Sequence, residues 1–168
     1  MRFFVHMKTW LLSLFIFMFC SAKAQTNEQF DELGRLIFKE FTDTSYNEES
    51  EFIRISNYQK LIDRQDISPY QKEKAKVKLN EDYNDLYLKY RNAYGQIKDS
   101  YTIDAKQGAT FEYMDTRFEP MDGTKDAYHV KTQFIYRNGK VRTQVSFQYD
   151  VAWFFDFFQL MSPISEDF

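Results

Sequence analysis

The sequence predicts an α+β domain, with N-terminal helices packed on a curved antiparallel β-meander of about four strands. Three observations lead there. Up to about residue 100, apolar residues recur every three or four positions, the spacing of a helix with one buried stripe. Beyond it they alternate, the spacing of a strand with one buried face. Asn138-Gly139 then stands between two alternating runs, the strongest short hairpin signal a sequence offers. No internal repeat or low-complexity tract breaks the pattern.

The first 24 residues read as a leader outside the fold. Arg2 and Lys8 make a basic start, Thr9 to Cys20 an apolar stretch, and Ala22-x-Ala24 a small-residue cleavage signal. The apolar stretch is too short to span a bilayer comfortably. The expectation is a secretory signal peptide over 1–24, cleaved after Ala24, and one α+β domain over 25–168, exported to a bacterial periplasm or secreted. Lipidation at Cys20 fits less well, because the bulky Phe19 precedes it where that cleavage wants a small residue. Residues 25–168 contain no cysteine, since Cys20 is the only one. The domain must then be held by its core, without disulfides. Arg2, Lys8 and Lys23 leave with the signal, so the formal charge moves from −3 to −6. That charge argues against general nucleic-acid binding and against electrostatic attachment to anionic lipid.

The elements follow in order. Thr26-Asn27-Glu28-Gln29 has the form of a capping box, and Phe30, Leu33, Ile37 and Phe41 line one face of the helix it opens. A polar stretch, residues 42–50, separates it from a second amphipathic helix with Phe52, Ile55, Gln59 and Ile62 in its stripe, joined by Tyr58 and Leu61. Ser68-Pro69 starts a third, with a capping serine and proline at the first helical position. Its stripe, Leu79, Tyr83, Leu86, Tyr90, Ala93 and Ile97, steps like a heptad. The stripe is too short for a sustained coiled coil and reads as a helix laid across a sheet. Gly95 is expected to end or loosen it.

Tyr101–Ile103 and Phe111–Tyr113 are expected as strands flanking a turn over 104–108, with a second turn in the Pro- and Asp-Gly-containing stretch 119–126. In the hairpin, a two-residue Asn138-Gly139 turn would pair Arg137 with Lys140. One face then holds Tyr128, Val130, Thr132, Phe134 and Tyr136 with Val141, Thr143, Val145, Phe147 and Tyr149. The other face is almost wholly polar, with His129 opposite Gln148. Val151, Trp153, Phe155 and Phe157 continue the odd-numbered apolar face, so the strand is expected to run on to about 157 with a bend or bulge near Asp150. Even-numbered Phe154, Phe158 and Leu160 are apolar too, so both faces are expected to be covered near this end. A helix over the same run is the competing reading.

Chemistry-bearing motifs are missing. There is no GxSxG, Gly-rich phosphate loop, CxxC or HExxH. His129 is the only histidine after residue 24, and no metal or cofactor is expected. The acids of residues 43–51 lack the glycine and spacing of a calcium loop. Tyr128, Tyr136, Tyr149 and Trp153 share one sheet face, and buried phenol and indole groups need hydrogen-bond partners. They are therefore the candidate ligand-binding residues, although a core whose hydroxyls reach the edges would look the same.

Helices followed by an antiparallel meander with a long hairpin and a closing aromatic strand resemble the NTF2-like, or cystatin-like, α+β domains. The resemblance is one of layout, and three helices precede nearly all the strands here, where that family places strands between helices. It implies a pocket between helix and sheet for a small apolar molecule, or a dimer module without catalysis. The leading expectation is thus an exported, non-enzymatic binding or interaction domain. Its partner would be a small apolar ligand or a protein, with no transmembrane span in the mature chain. The alternative is a homodimerising or envelope-associated module that uses Phe154, Phe158 and Leu160 as its interface. A third is a small hydrolase or isomerase with Asp150 or Asp156 as base.

Overall fold

The computed structural model describes residues 26–124, 126–154 and 157–168. The expected leader, Cys20 and Asp156 lie outside the described residues. Within them, three helices pack on an antiparallel sheet: α1 (Asn27–Thr42), α2 (Ile55–Arg64) and α3 (Pro69–Lys106), then β1 (Thr110–Pro120), β2 (Ala127–Asn138), β3 (Val141–Phe154), β4 (Phe157–Leu160) and β5 (Ser165–Asp167). The strand order is β1-β2-β3-β4, and β5 pairs with β3 beside β4.

Local chemistry starts the helices where the sequence indicates. Thr26 and Gln29 close a capping box on α1, and Ser68 and Gln71 close another on α3 with Pro69 at its start. Each satisfies backbone groups that a helix end leaves without partners. Phe52 precedes α2 instead of lying in it. The segment 51–53 runs beside β4, with the Ile53 N–H donating to the Leu160 carbonyl at 2.7 Å.

α3 does not stop at Gly95. It runs to Lys106, so the strand expected at Tyr101–Ile103 is helical. A mid-helix glycine costs only about 1 kcal/mol relative to alanine. Against that stands the stripe Tyr90, Ile97 and Tyr101, all buried, with Tyr101 ringed by Phe111, Phe134 and Phe147 at 5.3–5.8 Å. Burial of one such ring exceeds the glycine penalty.

The hairpin register differs from the expected one by two residues. Arg137 faces Arg142, and Gly139-Lys140 form the two-residue loop between Asn138 and Val141. Gly139 has φ +59°, which both primed turns require at the first loop position. A shift of two keeps every side chain on its expected face. It does bring His129 opposite Asp150 rather than Gln148.

No bulge occurs at Asp150, and β3 pairs regularly with β2 through Ala152. The irregularity is in β1, where the register shifts between Tyr113 and Asp115. The extra residue there is Met114, and it switches the inward parity from Phe111 and Tyr113 to Thr116 and Phe118. The aromatic run folds back on itself rather than continuing straight or coiling. Phe154 pairs with Phe157, Trp153 with Phe158 and Val151 with Leu160, while residues 155 and 156 lie outside the described residues.

Both sheet faces are covered at this end. On one side Phe30 of α1 packs against Phe118, Tyr128 and Phe158. On the other, Asn57 of α2 bonds Gln159 at 2.9 Å, and the Arg64 guanidinium of α2 stands over the Phe154 ring.

Candidate functional site

The expected pocket between the long helix and the 127–151 hairpin is filled by side chains. Phe41 stands 5.1 Å from both Tyr94 and Phe147, and Tyr101 occupies the rest of the interval. Tyr149 is buried, and its hydroxyl is 2.8 Å from Thr132 Oγ1. Thr132 reaches Thr116 at 3.1 Å, Thr116 reaches the Tyr113 hydroxyl at 2.9 Å, and Tyr113 donates to the Asp31 carboxylate. The chain itself therefore answers the hydrogen-bond demand that nominated Tyr149 for a ligand.

Burial and this bond to Asp31 push the Tyr113 hydroxyl up to about 12. The same bond, with Arg35 helping, holds the Asp31 carboxyl below the usual range. Gly34 lies above the row. A Cβ there would fall 1.7 Å from Thr116 Oγ1. The glycine is what lets α1 approach the sheet this closely. Tyr128 is core, packed on Phe30 and Phe118. Tyr136 sits at the far end of the hairpin against Phe111, and its hydroxyl accepts from Asn138 Nδ2 at 3.1 Å.

Trp153 is placed differently. It forms one wall of a groove of about 350 Å³ between α1 and the β3–β4 hairpin. Val151, Trp153, Phe158 and Leu160 alternate along both hairpin arms and share one face, and Leu33 and Leu36 of α1 lie opposite. The Trp153 and Phe158 rings meet edge to face at 4.4 Å. Leu36 and Phe157, 42% and 46% exposed, mark the open side. Gln29, Glu32, Ser50 and Glu51 supply the polar rim. No protein-family model, curated protein or solved structure matches the chain.

The apolar strip expected from Phe154, Phe158 and Leu160 does not form. Phe154 and Leu160 are each 2% exposed, and Phe154 faces α2 while Phe158 faces the groove. Adjacent positions on the hairpin point to opposite sides, and both sides are covered. Of the apolar groups lining the groove, the most exposed are Leu36 and Phe157. Sequence reasoning missed both, together with Glu32 and Ser50. The one signal for Leu36 was its position beside the Leu33–Ile37 stripe.

The groove's polar edge is tied into the fold. Glu51 accepts from Gln159 and Arg54, which hold its carboxyl below the ordinary value, the Gln159 bond foremost. Ser50 gives both its N–H, at 2.9 Å, and its hydroxyl to Glu40. Glu40 is 1% exposed, and burial raises its carboxyl above the ordinary range despite those bonds. Lys98 donates to the carbonyls of Glu40 and Tyr46, and Tyr90 to that of Ser50. The 43–51 stretch is thereby strapped across α1 and α3.

Asp150, the candidate base, lies on the open sheet face and not in an aromatic pocket. Its carboxylate is 2.6 Å from His129 Nδ1. No hydroxyl among the described residues bonds the other ring nitrogen, so the pair is a surface contact without a bonded nucleophile. Among the described residues no cluster of three or more His, Cys, Asp or Glu could hold a metal ion. No helix among them is long and apolar enough to cross a membrane.

Proposed function

We propose that residues 25–168 form an exported, non-enzymatic binding domain whose site is the groove between α1 and the aromatic hairpin. The observation that carries this is the groove itself. It gathers Leu33, Leu36, Val151, Trp153, Phe157 and Phe158 around about 350 Å³ of open space. That is the size and lining of sites for small molecules, which are mostly apolar with a few polar groups at the edge. The occupant is a small amphipathic molecule, its apolar body against Trp153 and Phe158 and its polar end toward Gln29, Glu32 and Ser50. Export is supported by the leader pattern of residues 1–24. The part of the NTF2-like resemblance used here is the layout of helices over one face of an antiparallel meander.

Trp153 gives a direct test, because Trp10, the only other tryptophan, falls within the expected leader. Titration of residues 25–168 with Nile red, a neutral solvatochromic dye, is expected to shift dye emission to the blue and to quench Trp153. Leu36→Ser is expected to weaken that binding at least several-fold without changing the fold. Dye binding that leaves Trp153 emission untouched, or that Leu36→Ser does not alter, would count against the site.

A further inference from the structure

We infer that the groove selects a cationic amphiphile: an apolar body carrying an ammonium or similar positive group. This rests on the binding reading above and adds the charge of the ligand to it. None of the residues lining the groove is basic, and two, Glu32 and Glu51, are carboxylates. They are not equivalent. Glu51 is occupied by Arg54 and Gln159. Glu32 is exposed at the rim and makes no ion pair among the described residues. An anionic ligand would bring its charge to Glu32 with no positive side chain on the lining to offset it. A cation meets Glu32 on one side and aromatic rings on the other, because Trp153, Phe157 and Phe158 present faces or edges to the same space. Tryptophan is the strongest of the aromatic side chains at attracting a cation.

One feature of α1 pulls the other way. Its N-terminus lies near Gln29, and the positive end of a helix dipole favours an anion. That end is already used. Thr26 accepts from the Gln29 N–H in the capping box, and Glu28 sits in the first turn.

The experiment uses residues 25–168 and three amphiphiles with the same decyl tail: decyltrimethylammonium, decyl maltoside and decyl sulfate. Each is titrated below its micelle concentration, with Trp153 emission and calorimetry as readouts. The cationic probe is expected to bind about tenfold tighter than the anionic one, the combined effect of one rim carboxylate and one aromatic wall. Glu32→Gln is expected to lower the preference to about threefold, the share that the aromatic wall keeps. Glu81→Gln, at an exposed position of α3 outside the groove lining, removes the same charge and is expected to leave the preference intact. Equal or tighter anion binding, a preference that Glu32→Gln leaves undiminished, or an equal loss in Glu81→Gln would overturn the inference. In each case decyl maltoside binding would still uphold the groove. If none of the three probes perturbs Trp153, the binding reading fails and the inference with it.

Discussion

Two aromatic regions on the same sheet face have opposite fates. Around Phe134, Phe147 and Tyr149 the rings are sealed under α1 and α3, and the Tyr149 hydroxyl has a partner inside the chain. Around Trp153 and Phe158 the sheet face is covered by α1 alone, and a groove remains. Both regions are rich in aromatic residues, so ring content does not separate core from groove. What separates them is the number of elements that cover the face and whether the polar handles are answered internally. Ring-lined space stays open where α3 does not reach.

The sharpest way to break the closed region is at Gly34. Its missing side chain sets the spacing between α1 and the Thr116–Thr132 pair, and those two threonine side chains leave a Cβ no room. Gly34→Ala is expected to cost about 3 kcal/mol, at the upper end of overpacking penalties, read as a lower urea midpoint. An unchanged midpoint would mean that α1 floats above the sheet, and the closed region would not be closed by packing. Tyr149→Phe tests the polar half of the same region. It removes one end of the hydroxyl row and leaves Thr132 buried with one partner fewer, for a loss of about 1–2 kcal/mol. Binding of Nile red in the groove is expected to be unaffected, because Tyr149 does not touch that space.

Which parts of this were legible in the sequence follows from where the determinants lie. The capping residues Thr26 and Ser68 act within three residues of themselves, and they are where local reading placed them. The faces of β2 and β3 were legible because alternation is a property of each strand alone. The register was not, since the same faces result from either two-residue loop. The bulge at Met114 left a trace in the spacing of Phe111, Tyr113 and Phe118, but reading it requires knowing what β1 pairs with. The continuation of α3 through Gly95 was decided by Phe111, Phe134 and Phe147, all distant in sequence from Tyr101. The groove lies further out of reach, since it depends on two chains of residues, α1 and a folded-back hairpin, whose angle no local pattern encodes. Trp153 was singled out for its place on the sheet face. It lines a groove because the run turns back after Phe154.

Between the two regions sits Glu40, whose carboxylate fixes Ser50 and so the rim of the groove. Its carboxyl is raised above the ordinary 4.5, with burial as the main cause. The folded state therefore holds this proton more tightly than the unfolded chain. The contribution is fully present below the ordinary value and is lost as pH rises through the raised one. Asp31 and Glu51 are lowered, and their contributions are present above their ordinary values and lost as pH falls through the lowered ones. Unfolding of the native chain is thus expected to become easier as pH climbs from about 4.5. Glu40→Gln removes that slope and leaves the acid-side loss from Asp31 and Glu51 in place. Parallel pH profiles for the two proteins, measured by urea midpoint, would show that Glu40 does not titrate with folding.

The smallest stability effect belongs to the open region, and it is the one that sharpens the contrast most. Leu36 and Phe157 are each close to half exposed, so replacing either with serine removes little buried area. The expected change is within about 0.5 kcal/mol, as for surface substitutions away from packed contacts. In the closed region a hydrophobic residue of similar size, such as Phe147, is fully buried, and truncation to alanine is expected to cost about 3–5 kcal/mol. If Leu36→Ser or Phe157→Ser unfolded the protein by a comparable amount, these side chains would be core, and the groove would be no more than a gap between packed elements. If they leave stability unchanged and weaken Nile red binding, the chain maintains an apolar surface that its own folding does not use.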